Sequence, residues 1–203
     1  MKISASILAA NQLTVLEDLK IKKDKYNYVH VDIGDNDFCP TFGISKEIVY
    51  KLIEDSDLEI DIHFMTNEFP ELLNELLNQS SNITTASFHV ESRSINHFLT
   101  EMSKQSNIKT GIGVLGTSDL NILKSYINNE KFNISNILLL CVEPGFSKQA
   151  PIISPIERAK EFQLLFPNYE GEVMVDGGVT DDMLAELKEL NVDISVQGGA
   201  IFG

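Results

Sequence analysis

A chain of 203 residues is long enough to bury one sizeable core and too short for two large domains, and an eight-unit α/β barrel is still within reach at this length. With 43% hydrophobic and 23% charged residues, 12 Gly and 6 Pro, its composition is that of an ordinary folded domain and excludes collagen-like, low-complexity and disordered classes. Sixteen basic against thirty acidic residues give a net charge of −14, with no basic run to offset it, so neither nucleic acid nor an anionic membrane surface is the expected partner.

In chain order, the opening MKISASILAA has one lysine, a short apolar run and no convincing cleavage site, so residues 2–8 read as a first strand and not as a leader. A helical period follows over 14–25, then strand-like runs at 27–33 and 58–65. Beyond these come a helix over 70–79, a strand at 83–90, a helix over 94–106 and a strand at 108–114. The pattern continues with a helix over 118–129, a strand at 134–142, a helix over 154–166, a strand at 172–176, a helix over 181–190 and a strand at 192–197. No apolar stretch approaches the roughly 20 residues of a spanning helix. Cys39 and Cys141 stand outside any CxxC pair and fit a reducing cytoplasm. Eight evenly spaced strands alternating with helices predict one closed (β/α)8 barrel, a TIM barrel, over 1–203. The chain stops at Gly203, where an eighth helix should start. A barrel lacking that helix leaves a seam beside strands one and eight for another element or subunit, so a homo-oligomer is left open.

Alternation within the strands carries the functional signal, because one face of a barrel strand packs on helices and the other points to the axis. Val29, Val31 and Ile33 oppose Tyr28, His30 and Asp32. Ile60, Ile62 and Phe64 oppose Asp61, His63 and Met65. Val173 and Val175 leave Glu172, Met174 and Asp176 together; Ser4 and Ser6 share an inward face, as do Thr85, Ser87 and His89. Barrel interiors are ordinarily filled by branched apolar side chains, so these polar groups need partners. His30, Asp32, His63 and Asp176 lie near the C-terminal ends of their strands and are expected to converge at the mouth. Any one of the histidines alone would read as a hydrogen-bonded core residue. His89 reads as structural or supporting, His97 as a helix-surface residue, and Asp35 and Asp37 as shaping the loop after strand two. Cys39, Cys141, Met174 and Leu138–Leu140 read as packing.

Seven segments then stand in order on matching strands: ISASILAAN (3–11), HVDIGDNDFCPTFG (30–43), DIHFM (61–65), SFHVES (87–92), CVEPGFSKQ (141–149), VDGG (175–178) and QGGAIFG (197–203). With these the chain resembles the ribulose-phosphate 3-epimerase family over essentially its whole length. The resemblance implies epimerisation of a ketose phosphate, by default D-ribulose 5-phosphate to D-xylulose 5-phosphate. It implies one divalent cation, Zn²⁺, Fe²⁺ or Mn²⁺, held by His30, Asp32, His63 and Asp176, with Asp32 and Asp176 doubling as the proton-transfer pair. Ser6 and Met65 would touch the substrate, Met65 as an apolar contact near the reacting carbon. Gly177, Gly178, Gly198 and Gly199 would bind phosphate, with Gly145 in the preceding loop; apart from the resemblance, Lys148 of this sequence is expected to add a contact when that loop closes.

The chemistry asks for such a set. Inverting a carbon beside a ketone removes a proton from one face and returns one to the other, which suits two carboxyl groups. The charge that develops on oxygen calls for a Lewis acid, and backbone N–H groups can hold a phosphate on an acidic protein. Some positions depart from the family's usual residues. Gly34 replaces a methionine, Asn36-Asp37 a Gly-His pair, Leu140 another methionine, and Ser147 and Lys148 two glycines, while GVLGTSD lacks the usual Asn-Pro. These bear on substrate and loop closure, so a ketohexose 6-phosphate epimerase is the nearest variant. A non-catalytic sugar-phosphate-binding relative would not need both Asp32 and Asp176, and a metal-independent phosphate-binding barrel would not need two inward histidines.

Overall fold

The computed structural model describes residues 1–54, 57–77 and 82–203. Its strands are β1 (Lys2–Ser6), β2 (Tyr28–Gly34), β3 (Ile60–Met65), β4 (Ile83–His89), β5 (Lys109–Val114), β6 (Ile134–Leu140), β7 (Glu172–Asp176) and β8 (Ile194–Gln197). Each pairs in parallel with the next and β8 pairs with β1, closing a barrel in sequence order. Between them run helices α1 (Val15–Ile21), α2 (Lys46–Glu54), α3 (Glu71–Leu77), α4 (Ile95–Met102), α5 (Lys124–Ile127), α6 (Pro155–Leu165), α7 (Leu184–Glu189) and α8 (Gly199–Phe202). None is long and apolar enough to cross a membrane among the described residues.

Strand period 2 sorts the side chains into two layers. Val29, Val31, Ile33, Ile60, Ile62, Phe64, Ala86, Phe88, Ile112, Ile137, Leu139, Val173 and Val175 share one buried cluster with Val49 and Leu52 of α2 and Phe98 and Leu99 of α4. Phe88 stacks on Phe98, ring centroids 4.8 Å apart; burying each such ring is worth about 1.5–3 kcal/mol. The barrel interior is divided. On the β6–β8 side Leu138, Leu140, Met174, Ile194 and Val196 form an apolar cluster, with Asn136 and Asp176 polar members of the same strand faces. On the β1–β4 side it is polar, with Ser4, Ser6, His30, Asp32, Asp61, His63, Thr85, Ser87 and His89 all buried. The strand β5 makes room for this polar half. A Cβ at Gly111 would stand 2.1 Å from Ser87 Oγ, and one at Gly113 would stand 3.2 Å from His89 Cε1.

Several elements differ from the periodicity reading. Chain turning ends β1 at Ser6, and Ile7–Ala9 forms a 3₁₀ turn. The helix expected over 118–129 shortens to a 3₁₀ turn, Leu120–Leu123, followed by α5, because the Asp119 side chain accepts the Asn121 N–H and starts a tighter turn. Helix α2 was not among the expected helices, although Val49 and Leu52 at i, i+3 bury its inner face. Of the helix expected over 70–79, Asn78 and Gln79 lie outside the described residues. Where the eighth helix was expected to start, the described residues form the single turn α8: the Gly198 carbonyl oxygen accepts the N–H groups of Ile201 and Phe202, and burial of Ile201 holds the turn in place.

Candidate active site

Register builds the site. Along β2 and β3, His30 stands beside Asp61 and Asp32 beside His63; on the other side, Asp176 of β7 stands beside Leu140 of β6. His30 Nε2 lies 3.2 Å from Asp32 Oδ1 and 3.7 Å from Asp176 Oδ2. His63 Nδ1 lies 3.0 Å from Asp32 Oδ1 and 4.0 Å from Asp176 Oδ2. One donor atom from each of His30, Asp32, His63 and Asp176 lies within 4.8 Å of all the others. Ligands at ~2.0–2.2 Å from a common ion are at most ~4.4 Å apart, so a few tenths of an ångström bring all four into one shell. Two imidazole nitrogens and two carboxylate oxygens form a mixed N/O set suited to Zn²⁺, Fe²⁺ or Mn²⁺, and the residues present fit such an ion.

The surroundings push the two carboxyl groups in opposite directions. Burial raises Asp32, but the charge and hydrogen bonds of His30 and His63 outweigh it and hold Asp32 well below the usual carboxylate range. For Asp176, burial dominates and the nearby Asp32 carboxylate adds to it, against the lowering effect of His30 and His63, so its pKa rises to about 6. Burial lowers His30, but Asp61 and Asp32 overcome this and raise it well above the ordinary histidine value. Ser6 Oγ donates to Asp32 Oδ2 at 3.0 Å.

Above this floor opens a cavity of ≈ 640 Å³, in the range of small-molecule sites. Ser6, Met65, Gly145, Gly177, Gly178, Gly198 and Gly199 all line it, together with Asp32, Asp176, Leu140 and Lys148. His30 and His63 do not line it; they are sealed beneath with side chains 0% exposed, whereas Asp176 is 15% exposed. Gly177 and Gly178 have φ of +97° and +72°, and their missing side chains are replaced by Val142 and Pro151, 2.7 Å and 2.8 Å from the Cβ positions. Gly199 differs: a Cβ there meets only Lys148 Cγ at 4.0 Å. Lys148 keeps the left-handed backbone, φ +57°, that glycine would adopt. Gly34 leaves space that the 39–43 loop fills, since a Cβ there would stand 2.2 Å from the Thr41 carbonyl oxygen.

Asp35 shapes the loop by accepting the N–H groups of Asp37, Phe38 and Asn67, and Asp37 pairs with Arg93. His97 is exposed on α4 and stacks on Phe69, while Cys39 and Cys141 are buried and free. Sequence reasoning gave no role to Asp61, although it shares an inward face with His63. It bonds His30 Nδ1 through one oxygen and accepts from Ser4 Oγ through the other. Glu91 was also missed; its signal was the i, i+2 spacing from His89. Burial holds His89 low, at about 4. Burial raises Glu91, but its hydrogen bond and charge interaction with His89 lead the contacts that bring it below the usual carboxylate range.

A profile of the Ribulose-phosphate 3 epimerase family matches residues 2–202. The ribulose-phosphate 3-epimerase of Helicobacter pylori strain J99 is 26% identical over 212 residues, spanning 100% of this chain and 91% of that protein. The ribulose-phosphate 3-epimerase of Aquifex aeolicus is 27% identical over 207 residues, spanning 100% and 90%. Among solved structures, 3-hexulose-6-phosphate synthase superposes with a TM-score of 0.70 at 14% identity, covering 100% of this chain and 92% of that one. A tryptophan synthase α-subunit from Pyrococcus furiosus gives 0.66 at 12% identity, covering 98% and 86%. These two show the barrel fold.

Proposed function

This chain belongs to the ribulose-phosphate 3-epimerase family and is an isomerase of the class that epimerises carbohydrates, and from that premise we propose that it inverts the carbon beside the ketone of a phosphorylated ketose, interconverting D-ribulose 5-phosphate and D-xylulose 5-phosphate. The observation that carries the reading is a pair of carboxyl groups at one cavity floor with their pKa values pushed apart, Asp32 down and Asp176 up to about 6. Groups separated in this way divide into base and acid. One of the pair, as a carboxylate, takes the C3 proton from one face, and the other, in its protonated form, returns a proton to the opposite face through an enediolate; the reverse reaction exchanges the roles of Asp32 and Asp176. Ser6, bonded to Asp32, orients that carboxylate and offers its hydroxyl to the substrate. Met65 and Leu140 supply apolar wall beside the reacting carbon.

His30, Asp32, His63 and Asp176 would hold the divalent cation. When bound, that ion supplies Lewis-acid stabilisation of the negative charge on the substrate oxygens. Backbone N–H groups of Gly177, Gly178, Gly198 and Gly199 hold the phosphate, and Lys148 adds a positive charge over them, so an anionic substrate is accommodated by a chain of net charge −14. A ketohexose 6-phosphate is the second reading, favoured by Leu140 where the family carries methionine. The two free, buried cysteines fit a cytoplasmic setting.

The deciding experiment is metal analysis of the purified protein followed by NMR of proton exchange at C3 in deuterated water across pentulose and hexulose phosphates. The expected result is exchange and inversion of ribulose 5-phosphate that chelation abolishes. No exchange with any ketose phosphate after loading with Zn²⁺, Fe²⁺ or Mn²⁺ would refute the reading.

A further inference from the structure

Behind His63 runs a buried chain of polar groups whose proton order is set from its far end. His63 Nε2 lies 2.7 Å from His89 Nε2. Two ring nitrogens at that distance share one proton, so one ring donates and the other accepts. His89 Nδ1 lies 3.3 Å from Glu91 Oε2, and Glu91 Oε1 accepts the backbone N–H of Leu115 at 3.0 Å. A carboxylate only accepts, so His89 carries its proton on Nδ1 and leaves Nε2 bare. The shared proton therefore sits on His63 Nε2. The nitrogen of His63 left to coordinate is Nδ1, the one that faces Asp32 and Asp176. Asp32 can hold a proton on Nδ1 only as a second proton on that ring, which a cation displaces.

The surroundings keep this chain in place. His63 and His89 side chains are 0% exposed, and that of Glu91 is 18% exposed. Phe38 lies against the His89 ring at 4.9 Å between centroids. Gly113 leaves the ring space that a side chain would take. His30 reaches the same state in one step: Asp61 accepts at Nδ1 and Nε2 faces the centre. The two imidazoles thus present opposite nitrogens, one set directly by a carboxylate and the other through an intervening ring.

We propose that Glu91 is a positioning residue that acts through His89 to keep the proton of His63 on Nε2, so that Nδ1 is presented to a divalent cation. The inference rests on the reading of the four-residue centre as a cation site. Carboxylate partners of this kind orient a histidine ligand and set its tautomer, and their loss typically lowers metal affinity by about 10–100-fold.

Glu91→Gln is the sharp perturbation. The Leu115 N–H requires the amide oxygen, which turns the NH₂ group toward His89 Nδ1. That nitrogen must then accept, the His89 proton moves to Nε2, and His63 is left with its proton on Nδ1. Long-range ¹H–¹⁵N correlation spectra of the full chain, stripped of cation by chelator, read both tautomers. Competition with a chromogenic chelator reads Zn²⁺ affinity. We expect Nδ1–H on His89 and Nε2–H on His63 in the wild type, reversal of both in Glu91→Gln, and Zn²⁺ affinity lower by about 10–100-fold. A wild-type His89 protonated on Nε2, unchanged tautomers in the variant, or Zn²⁺ affinity within about twofold of wild type would overturn the proposal. The wild-type spectrum decides even if the variant fails to fold. Should the wild type bind no Zn²⁺, the cation reading fails, and the spectrum alone decides whether Glu91 sets the tautomer.

Discussion

Gly199→Ala separates binding from folding. A Cβ at this position meets nothing nearer than Lys148 Cγ at 4.0 Å, so no atom resists it. Removing a glycine's freedom from the unfolded chain leaves stability unchanged or raises it by up to about 1 kcal/mol. The added methyl nevertheless enters the cavity between Gly199 and Lys148, where it keeps a phosphate away from the peptide N–H. Loss of one hydrogen bond to a charged group, about 1.5–3 kcal/mol, corresponds to a factor of about 10–150 in affinity. Gly177→Ala is the contrasting variant. Its φ of +97° and its Val142 neighbours at 2.7 Å and 2.8 Å add about 1–2 kcal/mol of backbone strain to about 1–3 kcal/mol of overpacking, lowering Tm by several degrees. The assays are thermal melting, KM for ribulose 5-phosphate, and inhibition by inorganic phosphate. Gly199→Ala with wild-type Tm, wild-type KM and wild-type phosphate inhibition would refute the placement of phosphate at this turn.

Cation affinity should rise with pH through about 6, because a proton on Asp176, whose pKa is raised to about 6, competes with the cation at the proposed site. Each proton displaced steepens the dependence by about tenfold per pH unit, and His30, also raised, contributes a second. Calorimetric Zn²⁺ titration between about pH 5 and 7 measures this, and a flat affinity would contradict the assigned ligands. Lys148→Ala should raise KM for the phosphorylated ketose about fivefold and weaken its dependence on ionic strength; steady-state kinetics at low and moderate salt check both, and an unchanged KM would remove Lys148 from the phosphate site.

The barrel and the floor of its site were legible in the sequence because strand period 2 is local. Val29, Val31 and Ile33 leave His30 and Asp32 nowhere to point except the axis, and the same holds for His63 opposite Ile62 and Phe64. Partnership across strands is a matter of register, which the alternation within one strand does not encode. The bonding of His30 to Asp61, and of His63 to His89, therefore emerged only with the fold. The single turn α8 was hidden for a different reason. Four residues are too few to show a helical period, and the turn depends on bonds to the Gly198 carbonyl and burial of Ile201. Similarly, the glycine at 34 read as a departure, whereas the folded loop shows Thr41 occupying the space a side chain would need.

The proton-transfer pair is tested most directly by Asp32→Asn and Asp176→Asn, assayed by NMR for both inversion and solvent-deuterium exchange at C3 of ribulose 5-phosphate. Each substitution removes one proton carrier and weakens the cation site, so the account predicts that each lowers epimerisation by about 10²–10⁴-fold or more, with any residual exchange confined to one face and uncoupled from inversion. Near-wild-type epimerisation in either variant would contradict the two-carboxylate mechanism.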